Sequence, residues 1–105
     1  MTIAQQIAQE IGIKTSQVSA TIELLDQGDS VAFIARYRKE VTAGLDDIQL
    51  RALAERIAYL RQLNKRREAI IQSIEQQQKM TSQLLQRLQN CPNKTELEDL
   101  YLPYK

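Results

Sequence analysis

A chain of 105 residues with 43% hydrophobic and 5% aromatic residues has room for one ordinary domain with a modest core. It holds no His and a single Cys. That excludes Ser-His and Cys-His nucleophile pairs, His-ligated metals, thiolate clusters and an internal disulfide, and it fits a reducing compartment. No apolar run approaches the length needed to cross a bilayer, and Gln5, Gln6 and Gln9 stand where a signal peptide needs an apolar core, so a cytoplasmic chain is expected.

The spacing predicts helices throughout, an all-α fold. Ile3, Ile7 and Ile11 recur at i, i+4 and i+8, one face of a short amphipathic helix. Gly12 suits the left-handed position past its end, with Ile13 making the accompanying apolar contact. Thr15 or Ser16 is expected to cap a second helix with Val18, Ile22 and Leu25 inward, and Gly28 to stop it. Ser30 can cap a third, Val31 to Lys39, whose Val31, Phe33, Ile34, Ala35 and Tyr37 leave little polar face. It is expected to be buried on most sides.

Residues 1–45 therefore form a tri-helical unit resembling a helix-turn-helix. The DNA-reading version needs an exposed recognition helix, and the apolar third helix argues instead for a structural cap.

Residues 46–79 form the spine. Asp46 to Gln78 contains neither Pro nor Gly, and Leu50, Leu53, Ile57 and Leu60 hold a heptad that meets Asn64 and Arg67 before resuming at Ile71 and Ile74. Roughly 33 residues make a rod of about 50 Å. Asp46 and Gln49 have the spacing of a capping box, which explains the Asp46-Asp47 pair without catalysis. The break in the heptad suggests a change of packing partner midway.

Residues 80–105 complete the chain. Thr81 caps a helix with Leu84, Leu85 and Leu88 inward, and the short link at Lys79-Met80 predicts that it folds back antiparallel on the spine. Cys91 is read as a small apolar filler. Thr95 and Glu98 are read as a second capping box, before the aromatic ending Leu100-Tyr101-Leu102-Pro103-Tyr104. So sticky an ending is expected of a piece of a longer chain, and exposed apolar helix surface gives such a piece a route to dimers.

Charge is uneven. Residues 31–67 carry nine Lys and Arg against Glu40, Asp46, Asp47 and Glu55, whereas both flanks are net negative. Within the excess, Arg61, Lys65, Arg66 and Arg67 lie at the heptad break. They read either as phosphate-backbone contacts or as a solvated or ion-paired face. Gly12, Gly28 and Gly44 are isolated, so no phosphate loop exists. No enzyme activity and no cofactor are expected.

The run Ser30-Val31-Ala32-Phe33-Ile34-Ala35-Arg36-Tyr37-Arg38-Lys39-Glu40-Val41-Thr42-Ala43-Gly44-Leu45-Asp46 closely resembles the signature of the Tex family of bacterial transcription accessory proteins. The ending Glu96 to Lys105 resembles a second block of the same family. The resemblance covers the whole of this chain but only the N-terminal part of a much longer family protein.

It implies a cytoplasmic protein related to the core of a eukaryotic transcription elongation factor. Further along, the family carries a degenerate ribonuclease-H-like domain, a helix-hairpin-helix module and an OB-fold RNA-binding domain, to which nucleic-acid binding is mainly attributed. The resemblance thus implies a helical scaffold here, with nucleic acid, the later domains and the transcription machinery as partners of the full-length protein. A stand-alone nucleic-acid module using residues 61–67 and a protein–protein helical adaptor remain the alternatives. Phe33, Arg36, Tyr37, Arg38 and Lys39 are expected to anchor the N-terminal unit against the spine or the later domains. Ala43 departs from the Gly expected there and would be strained if the turn needs a positive φ.

Overall fold

The computed structural model describes residues 2–105. The described residues hold seven α-helices, a closing 3-10 turn and no strand: α1 (Ile3–Ile11), α2 (Thr15–Asp26), α3 (Val31–Tyr37), α4 (Lys39–Thr42), α5 (Asp47–Gln76), α6 (Ser82–Gln89), α7 (Lys94–Tyr101) and the turn Leu102–Tyr104. The chain is all-α, with short helices at either end and one very long helix between them. No helix among the described residues is long and apolar enough to cross a membrane. Two compact units divide it, Met1–Leu60 and Arg61–Lys105, and the boundary falls inside α5.

In the first unit, local signals set the helix ends. Thr2 caps α1 by accepting from the Gln5 N–H, and Gln5 Oε1 accepts in return from the Thr2 N–H. Gly12 takes φ 81°, and the N–H groups of Gly12 and Ile13 both donate to the Ala8 carbonyl. That satisfies a carbonyl the helix end would otherwise leave unpaired. Ile7, Val18 and Ile34 are fully buried, and Leu50, Leu53 and Ile57 of α5 are nearly or fully so.

Three expectations for this unit need correction. The residue before α2 is Lys14, not Thr15 or Ser16, because the chain leaving Gly12 is already extended at Lys14. Gln17 does the capping: its Oε1 accepts from the Lys14 N–H at 3.0 Å. Its Nε2 reaches across to the carbonyls of Thr42 at 3.1 Å and Ala43 at 3.4 Å. One side chain thereby serves the start of α2 and the end of α4.

The third helix does not run to Lys39. It stops at Tyr37, and Arg38 (φ −127°, ψ 28°) both ends α3 and opens α4. The Arg38 N–H donates to the Ile34 carbonyl while its own carbonyl accepts from Val41 and Thr42.

Nor is α3 buried on most sides. Ile34 is fully buried, but Phe33 and Tyr37 are 38% and 52% exposed. A seven-residue helix has about two turns. Phe33 and Tyr37 lie roughly 60–100° around the axis from Ile34, so the layer that covers Ile34 leaves them open.

α4 closes on Ala43, which sits at φ 57°, ψ 42°. The strain expected of a non-glycine residue there is present. Thr42, fully buried, steadies the turn by accepting the Leu45 N–H on its hydroxyl. Asp46 then caps α5. Its Oδ1 accepts from the Gln49 N–H at 2.8 Å, and Gln49 Oε1 accepts from the Asp46 N–H at 3.1 Å.

α5 is continuous for 30 residues, about 45 Å. It ends at Gln76, slightly earlier than expected, where Gln78 takes a left-handed φ of 59° and the Lys79 N–H donates to the Ile74 carbonyl.

In the second unit the buried seam of α5 runs through Leu63, Ile70 and Ile74, with Ile71 only half-buried. The apolar stripe therefore passes one residue to the side of the strict heptad. Thr81 caps α6 by accepting from the Leu84 N–H, and Leu84 and Leu88 are buried. α6 runs antiparallel to α5, since its end meets Arg67. α7 is capped by Asn93, whose Oδ1 accepts from the Glu96 N–H at 2.9 Å, not by Thr95 with Glu98. Asn93 is the last extended residue before the helix, at φ −150°, which places Thr95 inside the first turn. Glu98 is thereby free for a different partner.

Candidate nucleic-acid interface and the exposed signature face

The basic stretch of α5 lies in the second unit. Arg61 and Lys65 are exposed, while Arg66 and Arg67 are half-buried. The helix turns each of the last two toward a different neighbour.

Arg66 forms a two-pronged pair with Glu98 of α7, Nε to Oε1 at 2.6 Å and Nη2 to Oε2 at 3.2 Å. Its guanidinium also lies 5.5 Å from the centre of the Tyr101 ring. The hydrogen bond from Arg66 is the main reason the Glu98 carboxyl titrates below its usual range, and the same bond raises the pKa of Arg66.

Arg67 stands on the apolar stripe itself. Its Nε donates to the Leu88 carbonyl at 2.9 Å and its Nη2 to the Cys91 carbonyl at 2.6 Å. It also donates to Asn64 Oδ1. Leu88 and Cys91 bracket the end of α6, where carbonyls have no partner within the helix. Arg67 therefore acts as a side-chain cap supplied from another helix. Further on, the Tyr101 and Ser73 hydroxyls bond at 2.8 Å, and Gln77 Nε2 donates to the Tyr104 carbonyl at 2.8 Å. Cys91 is buried, and burial raises its thiol pKa, so it fits an apolar filler.

Of the four cations named as phosphate candidates, Arg66 and Arg67 are thus held by intramolecular partners, and Arg61 is not free either. The remaining exposed surface includes a shallow groove lined by Gln62, Lys65, Arg66, Ala69, Lys94 and Glu98. A carboxylate in its wall opposes an anion.

The signature residues form the second cluster. Phe33 and Tyr37 are four apart, with ring centres 5.1 Å apart. Arg38 lies over the Phe33 ring at 5.0 Å and Arg36 over the Tyr37 ring at 5.4 Å. Arg38 reaches Asp29 only at 4.0 Å and donates to the neighbouring Tyr37 carbonyl. Arg36 and Lys39 line an open groove of about 340 Å³ together with Ala32, Ala35, Asp46 and Asp47. The cluster faces solvent. Reasoning from composition missed this, because six apolar residues in seven suggested burial without saying what covers each face.

Comparison with known proteins places the chain among relatives of one family. The family model described as the Tex-like protein N-terminal domain matches residues 1–75. The Transcriptional accessory protein Tex of Neisseria gonorrhoeae is 54% identical over 105 residues, which is 100% of this chain and 14% of that protein. Protein YhgF of Escherichia coli K12 is 57% identical over 99 residues, 94% of this chain and 13% of that protein. A human protein named S1 RNA-binding domain-containing protein 1 is 32% identical over 103 residues, 98% of this chain and 10% of that protein. The chain thus spans about one seventh of the bacterial relatives. With a family match over more than two thirds of its residues, the chain belongs to the Tex-like protein N-terminal domain family.

Proposed function

We propose that this chain is the N-terminal helical scaffold of a Tex-like, cytoplasmic transcription accessory protein. It supports RNA binding and transcription-related work done mainly by later domains, and it is not itself an enzyme. The observation that carries this reading is the commitment of Arg66 and Arg67. The densest positive charge in the chain bonds Glu98 and the end of α6, so it holds helices together and leaves few cations for a phosphate backbone. The name of the human relative, which contains an S1 RNA-binding domain, supports placing nucleic-acid contact elsewhere in the full-length protein.

Salt-dependent gel shifts test the division of labour. At about 50 mM salt, single-stranded RNA should be retarded by the full-length protein and not by the 105-residue chain. A shift by the 105-residue chain that Arg61→Ala and Lys65→Ala abolish would favour a stand-alone nucleic-acid module.

A further inference from the structure

Phe33, Tyr37 and Val41 are all substantially exposed, at 38%, 52% and 45%. Arg36 and Arg38 each hold a guanidinium over an aromatic ring, at 5.4 and 5.0 Å from its centre. A guanidinium beside a ring can still grip a carboxylate through its N–H groups, of which one on Arg38 already donates to the Tyr37 carbonyl. Arg38 has its carboxylate, Asp29, only at 4.0 Å. Aromatic rings interleaved with arginine are the composition of a protein-binding hot spot.

A polyanion is the poorer fit. The unit that carries this face, residues 1–60, holds six Lys and Arg against eight Asp and Glu, a net of −2. The adjoining groove has Asp46 and Asp47 in its wall. A nucleic-acid backbone carries a phosphate at every nucleotide and would meet these carboxylates along its length, whereas a partner with a few rim carboxylates need bring them only to Arg36 and Arg38.

We propose that the Phe33–Tyr37 face of α3 is the docking surface for a later domain of the same polypeptide, one that presents an apolar depression edged by carboxylates. The inference rests on the scaffold reading above. The chain matches 14% of its bacterial relative end to end, so most of the surface such a polypeptide presents lies outside these residues. An intramolecular partner also needs no more than a weak patch, because tethering supplies a high effective concentration. The rings enter the depression, and Arg36 and Arg38 pair with its rim.

The test uses the full-length protein with Tyr37→p-benzoylphenylalanine, irradiated at high dilution and mapped by mass spectrometry. The expected product is a crosslink, within one molecule, to a residue numbered above 105. In parallel, Tyr37→Ala should lower the melting temperature of the full-length protein by several degrees while leaving that of the 105-residue chain unchanged. Crosslinks confined to residues 1–105, or made to nucleic acid, to a second copy or to a separate protein, would overturn the docking. So would an unchanged melting temperature in the full-length protein. If later domains are present and the crosslink is not made, only the docking fails and the scaffold reading stands. If the full-length protein lacks later domains, both fail.

Discussion

Two arginine-rich stretches, separated by about 30 positions, do opposite things. Arg36 and Arg38 lie on aromatic rings at the surface of a two-turn helix. Arg66 and Arg67 sit about two thirds of the way along a 30-residue helix, and their guanidiniums are taken up by Glu98 and by carbonyls at the end of α6. The second stretch has the higher density of charge and is the more obvious nucleic-acid candidate. Yet its charge is spent on architecture. Density of charge along a sequence is therefore a poor guide to availability. The angle at which a helix presents each side chain decides it, and so does whether a neighbouring helix end lies in reach.

The largest break in this comparison is expected at Arg67. Arg67→Ala removes two charge-assisted bonds to the Leu88 and Cys91 carbonyls and leaves a helix end without its cap. The loss should be about 2–3 kcal/mol in urea denaturation of the 105-residue chain. Arg67→Lys should recover little of it, because one ammonium cannot match the guanidinium fork. A loss below about 0.5 kcal/mol would mean that α6 does not depend on this cap.

The next effect concerns the turn that joins the signature to α5. Ala43 holds φ 57°. A left-handed alanine costs roughly 1–2 kcal/mol, part of which glycine returns through its greater freedom when unfolded. Ala43→Gly should therefore stabilise the chain by about 0.5–1 kcal/mol, seen as a raised urea midpoint with an unchanged slope. It sharpens the comparison by showing that the outward-facing region is limited by its backbone and not by its cations.

Acid sharpens it from the other side. Arg66 holds the Glu98 carboxyl below its ordinary value of 4.5 through their hydrogen bond, and Arg56 does the same to Glu10, which it meets at 2.7 Å. A carboxyl with a depressed folded pKa contributes stability that is present above its unfolded pKa and lost as pH falls through the folded one. Stability should hold from pH 7 to about 5 and then decline. The Arg66–Glu98 side chains are 38% and 36% exposed, so solvent screening limits the pair to about 1 kcal/mol or less. Urea melts of wild type and Glu98→Gln across this range check it: the variant should start lower at pH 7 and lose less on acidification. Parallel curves would remove the pair from the ledger.

The parts of this fold that were legible in the sequence are those fixed by neighbours in the chain. Asp46 with Gln49, Gly12 and Ile13 with Ala8, and the unbroken run through α5 each follow from residues no more than five apart. The parts that were not legible depend on what stands opposite. Arg67 looked like an interruption of the heptad. It occupies the same stripe as Leu63 and Ile70, facing an α6 end that has Asn90-Cys91-Pro92 in place of a capping glycine. An arginine on an apolar stripe opposite an uncapped helix end is the signal that would have assigned it. Asn93 displaced Thr95 as a cap for a related reason. Either residue can serve, and only the path of the chain after Pro92 selects one. The exposure of Phe33 and Tyr37 carried no such signal, because an apolar face reads alike whether its cover lies in the same chain or outside it.

The smallest predicted effect is the one that separates the two stretches most cleanly. In the 105-residue chain, Arg36→Ala removes a contact to the Tyr37 ring and nothing that supports a helix end. An exposed cation–π pair contributes about 0.5–1 kcal/mol at most, and part of that is offset by freeing a long side chain. Arg36→Ala should therefore change stability by no more than about 0.5 kcal/mol, the range typical of surface substitutions. Urea denaturation side by side with Arg67→Ala is the measurement. A cost for Arg36→Ala approaching that of Arg67→Ala would place the signature arginines among the internal supports of this unit, and the contrast between the outward and inward stretches would disappear.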